Sequence, residues 1–196
     1  MLMVSPSHRI IARSRIRDGM DILDLGCGAG RIAVPAAEAC GSSGHVLAFD
    51  FQQKMLNKTR ARMRAHGVNN IELQQGDLSK LEISSEVYDR IFLVTVLGEI
   101  PEPVWVLRRI CDLLKADGEL SVTEVLPDPC YISKRRLIAL CQEAGLEPIR
   151  EFCDVFAYTL DFRLKRCSLI EWRNSVLGIL PDFFHPVLDV LNCLLP

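Results

Sequence analysis

The sequence lacks the cysteine spacing that marks a structural metal site. Its eight cysteines stand at positions 27, 40, 111, 130, 141, 153, 167 and 193. They include no C-x-x-C pair and form no cluster with histidine, so we expect no structural zinc. Such scatter is typical of thiols that stay reduced, and it favours a cytoplasmic location.

The sequence also lacks an excess of charge and a long apolar run. Lysines and arginines number 23 against 25 aspartates and glutamates, and this net charge of −2 predicts no general attraction to nucleic acid. No uninterrupted apolar run could span a bilayer, and we recognise no signal peptide before the first predicted strand. At 196 residues, the chain is long enough for one domain with a sizeable core.

Basic residues are concentrated locally between positions 54 and 64, in a stretch predicted as a helix. Four core-type side chains recur there every four residues: Phe51, Met55, Thr59 and Met63. We therefore expect the basic side chains to form a solvated outer face, and a phosphate-binding stripe is the alternative.

Short apolar runs alternate with helical patterns along the chain. We predict strands at 20–25, 45–49, 70–74, 88–95, 118–124, 147–152 and 155–162, and helices at 30–39, 52–66, 103–114 and 133–144. This alternation predicts an α/β fold with a doubly wound, mostly parallel sheet. Only a few residues join the last two strands, too few for a right-handed crossover, so we expect the final strand to be reversed.

The most informative segment, residues 21–31, reads as a buried strand that enters a tight turn with glycines at 26, 28 and 30. Glycine permits positive φ and lets a ligand approach the backbone, and a helix predicted to begin near Arg31 would offer free N–H groups. A dinucleotide-binding turn, G-x-G-x-x-G, would have its third glycine at position 31. Arginine stands there instead, so the pattern is G-x-G-x-G.

A second strand, at 45–49, leads into Asp50, twenty residues after Gly30. A carboxylate at this place can accept two hydrogen bonds from a ribose diol. Asp50 could also cap the helix that follows, and the two roles are compatible. Phe51 would then flank an adenine ring, or it could belong to the core.

With Asp24 ahead of it, the G-x-G-x-G turn resembles the first motif of the class I S-adenosylmethionine-dependent methyltransferases. The resemblance covers roughly residues 18–162, and residues 19–28 with Met55 and Leu56 are similar to the ubiquinone and menaquinone biosynthesis group. It implies a Rossmann-like, mostly parallel seven-stranded sheet with a reversed last strand. It also implies S-adenosylmethionine as the cofactor.

The resemblance further implies which residues hold this cofactor. Asp77 follows the third strand, where the acidic residue of the family binds the adenine amino group. The full predicted set is Asp24, Gly26, Cys27, Gly28, Gly30, Asp50, Phe51, Gly76, Asp77, Leu78 and Thr95.

Methyl transfer from a sulfonium needs alignment and exclusion of water rather than a catalytic triad or a metal. Candidates to orient or deprotonate an acceptor are Glu99, Glu124 and Tyr131, which follow or end the fourth and fifth strands, where ligands lie in open α/β sheets. Each has a structural alternative. Glu99 could cap the turn at 101–103, Glu124 could pair with a surface arginine, and Tyr131 could simply pack.

We therefore expect a cytoplasmic methyltransferase that acts on a small, apolar organic acceptor by in-line displacement. One alternative is a methyltransferase-fold protein that binds cofactor or a partner without catalysis. Only about twenty residues precede the first strand, so a substrate lid could come from another chain. A nicotinamide oxidoreductase is the least favoured alternative, because of Arg31.

We divide the chain into a methyltransferase domain at 1–167 and an apolar tail at 168–196. Prolines and aspartates interrupt the tail, which argues against a membrane span and favours two short amphipathic helices. We expect it to dock on the domain or on a second subunit. A lid over a hydrophobic substrate and a peripheral membrane contact are the alternatives.

Overall fold

The computed structural model describes residues 6–80 and 88–165. The tail at 168–196 lies outside the described residues, so its role as a docking face, lid or membrane contact stays a prediction. None of the helices in the described ranges is long and apolar enough to cross a membrane.

The described elements form a sheet with helices on both faces. The strands are β1 (Asp21–Leu25), β2 (His45–Asp50), β3 (Ile71–Gln75), β4 (Tyr88–Val94), β5 (Leu114–Val125), β6 (Leu146–Cys153) and β7 (Ala157–Leu164). The helices are α1 (Pro6–Arg13), α2 (Ala33–Cys40), α3 (Gln53–His66), α4 (Pro103–Leu113) and α5 (Lys134–Ala144), with a 3-10 turn at Leu97–Glu99.

The strand order is β3-β2-β1-β4-β5-β7-β6. β1 to β5 pair in parallel, whereas β7 runs antiparallel to both of its neighbours, β5 and β6. The doubly wound sheet with a reversed last strand is thus confirmed. Its reversal follows from the short connection after β6, which leaves no room for a crossover helix.

The central strands are largely apolar because helices cover both faces of the sheet. In β1, Leu23 and Leu25 pack into a core shared with α4 and α5. The neighbouring Ile22 points to the opposite face and packs into a second core with α1, α2 and α3. The carboxyl ends of the strands therefore lie between two packed layers of helices.

Three predicted helix ends are confirmed. Gly67 and Gly145 end α3 and α5 in the left-handed conformation, and each N–H bonds back to carbonyls of the last turn. Pro103 occupies the start of α4, where its missing N–H costs nothing.

Two predicted starts differ from the structure by three or four residues. α2 begins at Ala33 rather than near Arg31, because the turn continues until the Ala33 N–H meets the buried carboxylate of Asp24 at 2.9 Å. β5 begins at Leu114 rather than at 118, because Leu114 already pairs with β4 before a register shift interrupts the ladder.

Candidate active site

A cavity of about 830 Å³, the main cavity, opens at the carboxyl ends of the parallel strands. The connections that follow β1, β2, β3 and β4 line it, as expected for an open α/β sheet. Its lining residues are Gly26, Gly28, Asp50, Phe51, Gln52, Met55, Gln75, Gly76, Asp77, Leu78, Ser79, Val94, Thr95, Val96, Glu99, Ile100 and Pro101.

The glycine turn forms the floor of this cavity. Gly26, Gly28 and Gly30 all have positive φ, between 53° and 71°. A Cβ on Gly26 would lie 2.5 Å from Val96, and one on Gly30 would lie 2.8 Å from Thr59, so these glycines permit close packing. At Gly28, no described atom would lie within 4 Å of a Cβ, which would therefore occupy the space offered to a ligand.

Asp50 is held beside this turn by two backbone hydrogen bonds. Its Oδ2 accepts the Gly28 N–H and its Oδ1 accepts the Gln52 N–H, each at 2.8 Å. The side chain is oriented by its neighbours, and each oxygen keeps a lone pair for a ligand. Because α3 begins at Gln53, the bond to Gln52 shapes the connection ahead of the helix.

Asp24 lies under the turn and is 2 % exposed. Burial raises the pKa of its carboxyl to about 7, although the hydrogen bond from the Ala33 N–H opposes this shift. Burial also raises the pKa of the neighbouring Cys27 thiol. Cys27 is thus neutral near pH 7, and its small side chain serves to fit the turn.

The residues predicted to hold the adenine end of the cofactor, Phe51 and residues 76–78, line the main cavity. Phe51 is 62 % exposed at the cavity rim, so the interpretation of this ring as core is wrong. Asp77 is exposed, and the Ser79 N–H that bonds to its Oδ1 at 2.8 Å lowers the pKa of its carboxyl. Gly76 leaves room for Phe49, whose ring would lie 2.4 Å from a Cβ at position 76. Leu78 completes this part of the wall.

Thr95 follows β4 in a conformation that is unusual for a threonine, with φ of 54°. Its N–H donates to the Thr123 carbonyl at 2.9 Å, and its hydroxyl donates to the Val94 carbonyl at 2.7 Å. These bonds fix the chain where it borders the cavity.

A second cavity of about 750 Å³, the side cavity, adjoins the main cavity. Both are lined by Gly26, Gly28, Met55, Val94 and Thr95. The side cavity extends over Asp24 and Cys27 to the loop after β5 and to α1.

α1 closes part of the side cavity, which sequence reasoning missed. Arg9 and Arg13 line it, and their guanidinium groups lie 3.0 and 3.8 Å from the carboxylate of Asp154 in the β6–β7 turn. No local pattern indicates this contact, since Arg9 and Asp154 are 145 positions apart.

The three predicted catalytic candidates lie in three different places. Glu99 lines the main cavity and is exposed. Tyr131 lines a separate pocket of about 120 Å³, where it packs edge-on against Tyr158. Glu124 borders neither of the two large cavities. The structure brings only Glu99 together with the predicted cofactor residues.

Glu124 is 1 % exposed, so its predicted pairing with a surface arginine is wrong. Side chains alternate along β5, and Thr123 faces the side cavity while Glu124 points to the opposite face. Its Oε2 accepts the Ile132 N–H at 3.4 Å, and its Oε1 is buried without a hydrogen-bond partner among the described residues. Burial raises the pKa of this carboxyl to about 7.

The arrangement offers an oriented carboxylate, a glycine turn and an adjoining second cavity. Within residues 6–80 and 88–165, no group of three or more histidine, cysteine, aspartate or glutamate side chains is placed to hold a metal ion. The roles of the individual site residues remain predictions.

Comparison with known proteins gives consistent matches. A family model described as "Methyltransferase domain" matches residues 16–158. Among curated relatives, demethylmenaquinone methyltransferase of Lactobacillus johnsonii is 31 % identical over 117 residues, 59 % of this chain and 48 % of that protein. Nocamycin O-methyltransferase of Saccharothrix syringae is 30 % identical over 113 residues, 58 % of this chain and 40 % of that protein. The chain thus spans about half the length of these relatives or less.

Solved structures share the fold. A SAM-dependent methyltransferase from Aquifex aeolicus matches with a TM-score of 0.74 at 20 % identity, over 81 % of this chain and 89 % of the other. The [4+2]-cyclase SpnF matches with a TM-score of 0.70 at 18 % identity, over 81 % and 79 %. Because these two proteins differ in the activities that they are named for, the fold alone does not identify the reaction.

Proposed function

This chain belongs to the class I S-adenosylmethionine-dependent methyltransferase family, and on that basis we propose that it transfers a methyl group from this cofactor to a small organic acceptor. The observation that carries the proposal is the pair of adjoining cavities that share the glycine turn and Thr95. A cofactor in the main cavity would place its reacting end next to the side cavity, which would receive the acceptor.

The main cavity fits the parts of the cofactor. Asp50 would accept hydrogen bonds from the ribose diol through the lone pairs that Gly28 and Gln52 leave free. Phe51 and Leu78 would flank the adenine, and Asp77 would accept from its amino group. The open space above Gly28 would let the cofactor press against the backbone of the turn.

The methionine end would lie over Asp24 and the glycine turn, where the two cavities join. A carboxylate at Asp24 would stabilise an ammonium group there. When bound, S-adenosylmethionine would supply an electrophilic methyl carbon. Attack by an acceptor atom on this carbon, in line with the carbon–sulfur bond, would break that bond and release S-adenosylhomocysteine. The protein's task is to align that atom and to exclude water.

Of the three predicted catalytic candidates, only Glu99 borders the main cavity, so its carboxylate would be the one to take a proton from an acceptor that reaches the junction of the two cavities. Part of the side-cavity wall is apolar, through Ile10, Val125, Leu126 and Pro127. This wall suits an organic acceptor with an apolar body. The relatives named for demethylmenaquinone and nocamycin are consistent with a small-molecule acceptor.

Calorimetric titration tests the cofactor assignment. S-adenosylmethionine and S-adenosylhomocysteine should bind to the wild type, whereas NAD and NADP should not. Asp50→Ala should weaken binding by about 100-fold, because two hydrogen bonds to a charged acceptor would be lost. Asp112→Ala removes an equal charge from an exposed position of α4, outside the cavities, and should leave the affinity unchanged.

Failure of the folded wild type to bind either sulfur compound would overturn the proposal. Binding without methyl transfer to any acceptor would favour the alternative of a non-catalytic binding protein or a subunit that needs a partner. Equal losses in Asp50→Ala and Asp112→Ala would place the cofactor elsewhere.

A further inference from the structure

A further cavity, of about 350 Å³, lies between α1, α2 and α3, and we call it the basic annex. Its lining residues are Ser7, His8, Arg31, Pro35, Glu38, Arg62 and His66. Ser7 and Arg31 also line the side cavity. The annex is therefore the neighbour of the cavity that we assign to the acceptor, and the Arg31 side chain borders both.

Positive charge in the annex is only partly balanced. Arg31 and Arg62 have no ion-pair partner among the described residues. Glu38 is the one carboxylate among the lining residues given above, and its Oε1 lies 2.8 Å from Nδ1 of His66. Two arginines without an ion-pair partner among the described residues thus border a concave space whose carboxylate is already engaged.

Basic residues on one side of α3 border both the side cavity and the basic annex. Lys58, Arg62 and His66 are spaced four residues apart and so lie on one side of the helix. Lys58 lines the side cavity, whereas Arg62 and His66 line the annex. Lys58 and His66 are exposed and Arg62 is half-buried, so these side chains stay accessible to solvent, as expected, and also border the two cavities. Arg64 borders neither cavity.

The other arginines of the side cavity are already paired. Arg9 and Arg13 both approach Asp154 of the β6–β7 turn. An anionic group that enters from the side cavity would therefore find its unpaired guanidinium partners at Arg31 and Arg62.

We propose that the basic annex binds an anionic group, a phosphate or a carboxylate, carried by the methyl acceptor. Guanidinium groups bind the oxygens of such anions in a bidentate manner, which fixes orientation as well as supplying energy. The acceptor would place its apolar body in the side cavity and its anion beside Arg31 and Arg62. This inference rests on the proposed function, because it assigns the acceptor to the side cavity.

Binding of inorganic pyrophosphate tests the annex itself, without cofactor or acceptor. Calorimetry at low ionic strength should detect binding to the wild type. Arg62→Ala should weaken binding by about fivefold, since one of two unpaired guanidinium groups is removed. Arg64→Ala removes the same charge from the same helix outside the annex and should change the affinity by less than about twofold. No binding, or equal effects of the two variants, would overturn the proposal.

A matched pair of aromatic compounds tests whether the anion belongs to the acceptor. 1-Naphthyl phosphate and 1-naphthol share an apolar body and differ in the anionic group. In the complex with S-adenosylhomocysteine, naphthyl phosphate should bind at least about fivefold more tightly, and Arg62→Ala should abolish this preference. Pyrophosphate should displace naphthyl phosphate. Binding of pyrophosphate without a preference for naphthyl phosphate would assign the annex to a free anion and overturn the acceptor assignment.

Titration of each variant with S-adenosylmethionine separates this proposal from the function on which it rests. Arg62→Ala should bind the cofactor as the wild type does, because Arg62 does not line the main cavity. A protein that binds the cofactor but not pyrophosphate would contradict the annex alone. A protein that binds pyrophosphate but not the cofactor would contradict the proposed function and the acceptor assignment, and leave an anion site.

Discussion

Replacement of Gly28 by alanine separates a binding role of the glycine turn from a folding role. Gly28 has φ of 53°, and a Cβ there would meet no described atom within 4 Å. Gly67, at the end of α3, has φ of 68° and is equally open around its Cβ position. Gly67→Ala therefore imposes a similar backbone strain at a site that borders neither large cavity.

The two variants should lose similar amounts of stability. Alanine in the left-handed region costs about 1–2 kcal/mol, and no clash adds to this cost at either position. The peptide of Gly28 has little freedom to rotate away from the strain, because its N–H donates to Asp50 at 2.8 Å and its carbonyl accepts from Thr59 at 2.9 Å. We therefore expect the new methyl group at position 28 to stay pointed into the cavities.

Binding should distinguish the variants. A methyl group between cofactor and backbone should reduce the affinity for S-adenosylhomocysteine by at least about tenfold, or about 1.4 kcal/mol. Gly67→Ala should bind as the wild type does. Urea denaturation measures the stabilities, and calorimetry measures the affinities. If Gly28→Ala bound within about twofold of Gly67→Ala, the cofactor would not lie against this turn.

Three further predictions concern buried carboxyls and close packing. Burial raises the pKa of Asp24 to about 7, above its unfolded value of about 4, so the free energy of unfolding should fall as pH rises from about 5 to about 7. Asp24→Asn should remove about 2 kcal/mol of this loss. Urea denaturation across this range measures the loss, and an unchanged pH dependence in the variant would contradict the prediction. Glu124→Gln should likewise remove about 2 kcal/mol of the stability lost between pH 5 and 7, because burial also raises the pKa of this carboxyl to about 7. A variant that loses as much stability as the wild type over this range would contradict the raised pKa of Glu124. Gly98→Ala would bring a Cβ within 1.8 Å of the Cys130 carbonyl oxygen, so it should lower the free energy of unfolding by about 2 kcal/mol more than Gly67→Ala does. Equal losses of the two variants in urea denaturation would show that the chain at Cys130 moves away without cost.

Much of the main cavity could be predicted, because its residues belong to short sequence patterns at the ends of strands. The turn could be recognised from its three glycines, Gly26, Gly28 and Gly30, because the positive φ of each is a conformation that residues with a side chain rarely adopt. Asp50 could be placed beside it because parallel strands bring their carboxyl ends to one edge, and the structure joins Asp50 to Gly28 at 2.8 Å.

The side cavity could not be predicted to the same extent. Alternation along β5 indicates that Thr123 and Glu124 face opposite ways, but not which face borders a cavity. The left-handed conformation of Thr95 has no sequence signal, since threonine is rarely found there. The contact of Arg9 with Asp154 depends on α1 lying near the β6–β7 turn, which is distant in sequence.

The sequence by itself determined the order of strands and helices, the reversed last strand, the glycine turn and the family. These features follow from hydrophobic periodicity, connection length and backbone conformation, which act over neighbouring residues. Only the tertiary structure decided which charges meet. Lys58 and Arg62 border cavities because α1 and α2 pack against α3. Glu124 is a buried carboxyl rather than a surface one because the chain at Ile132 packs against it. Burial and charge balance are properties of surfaces brought together from distant parts of the chain.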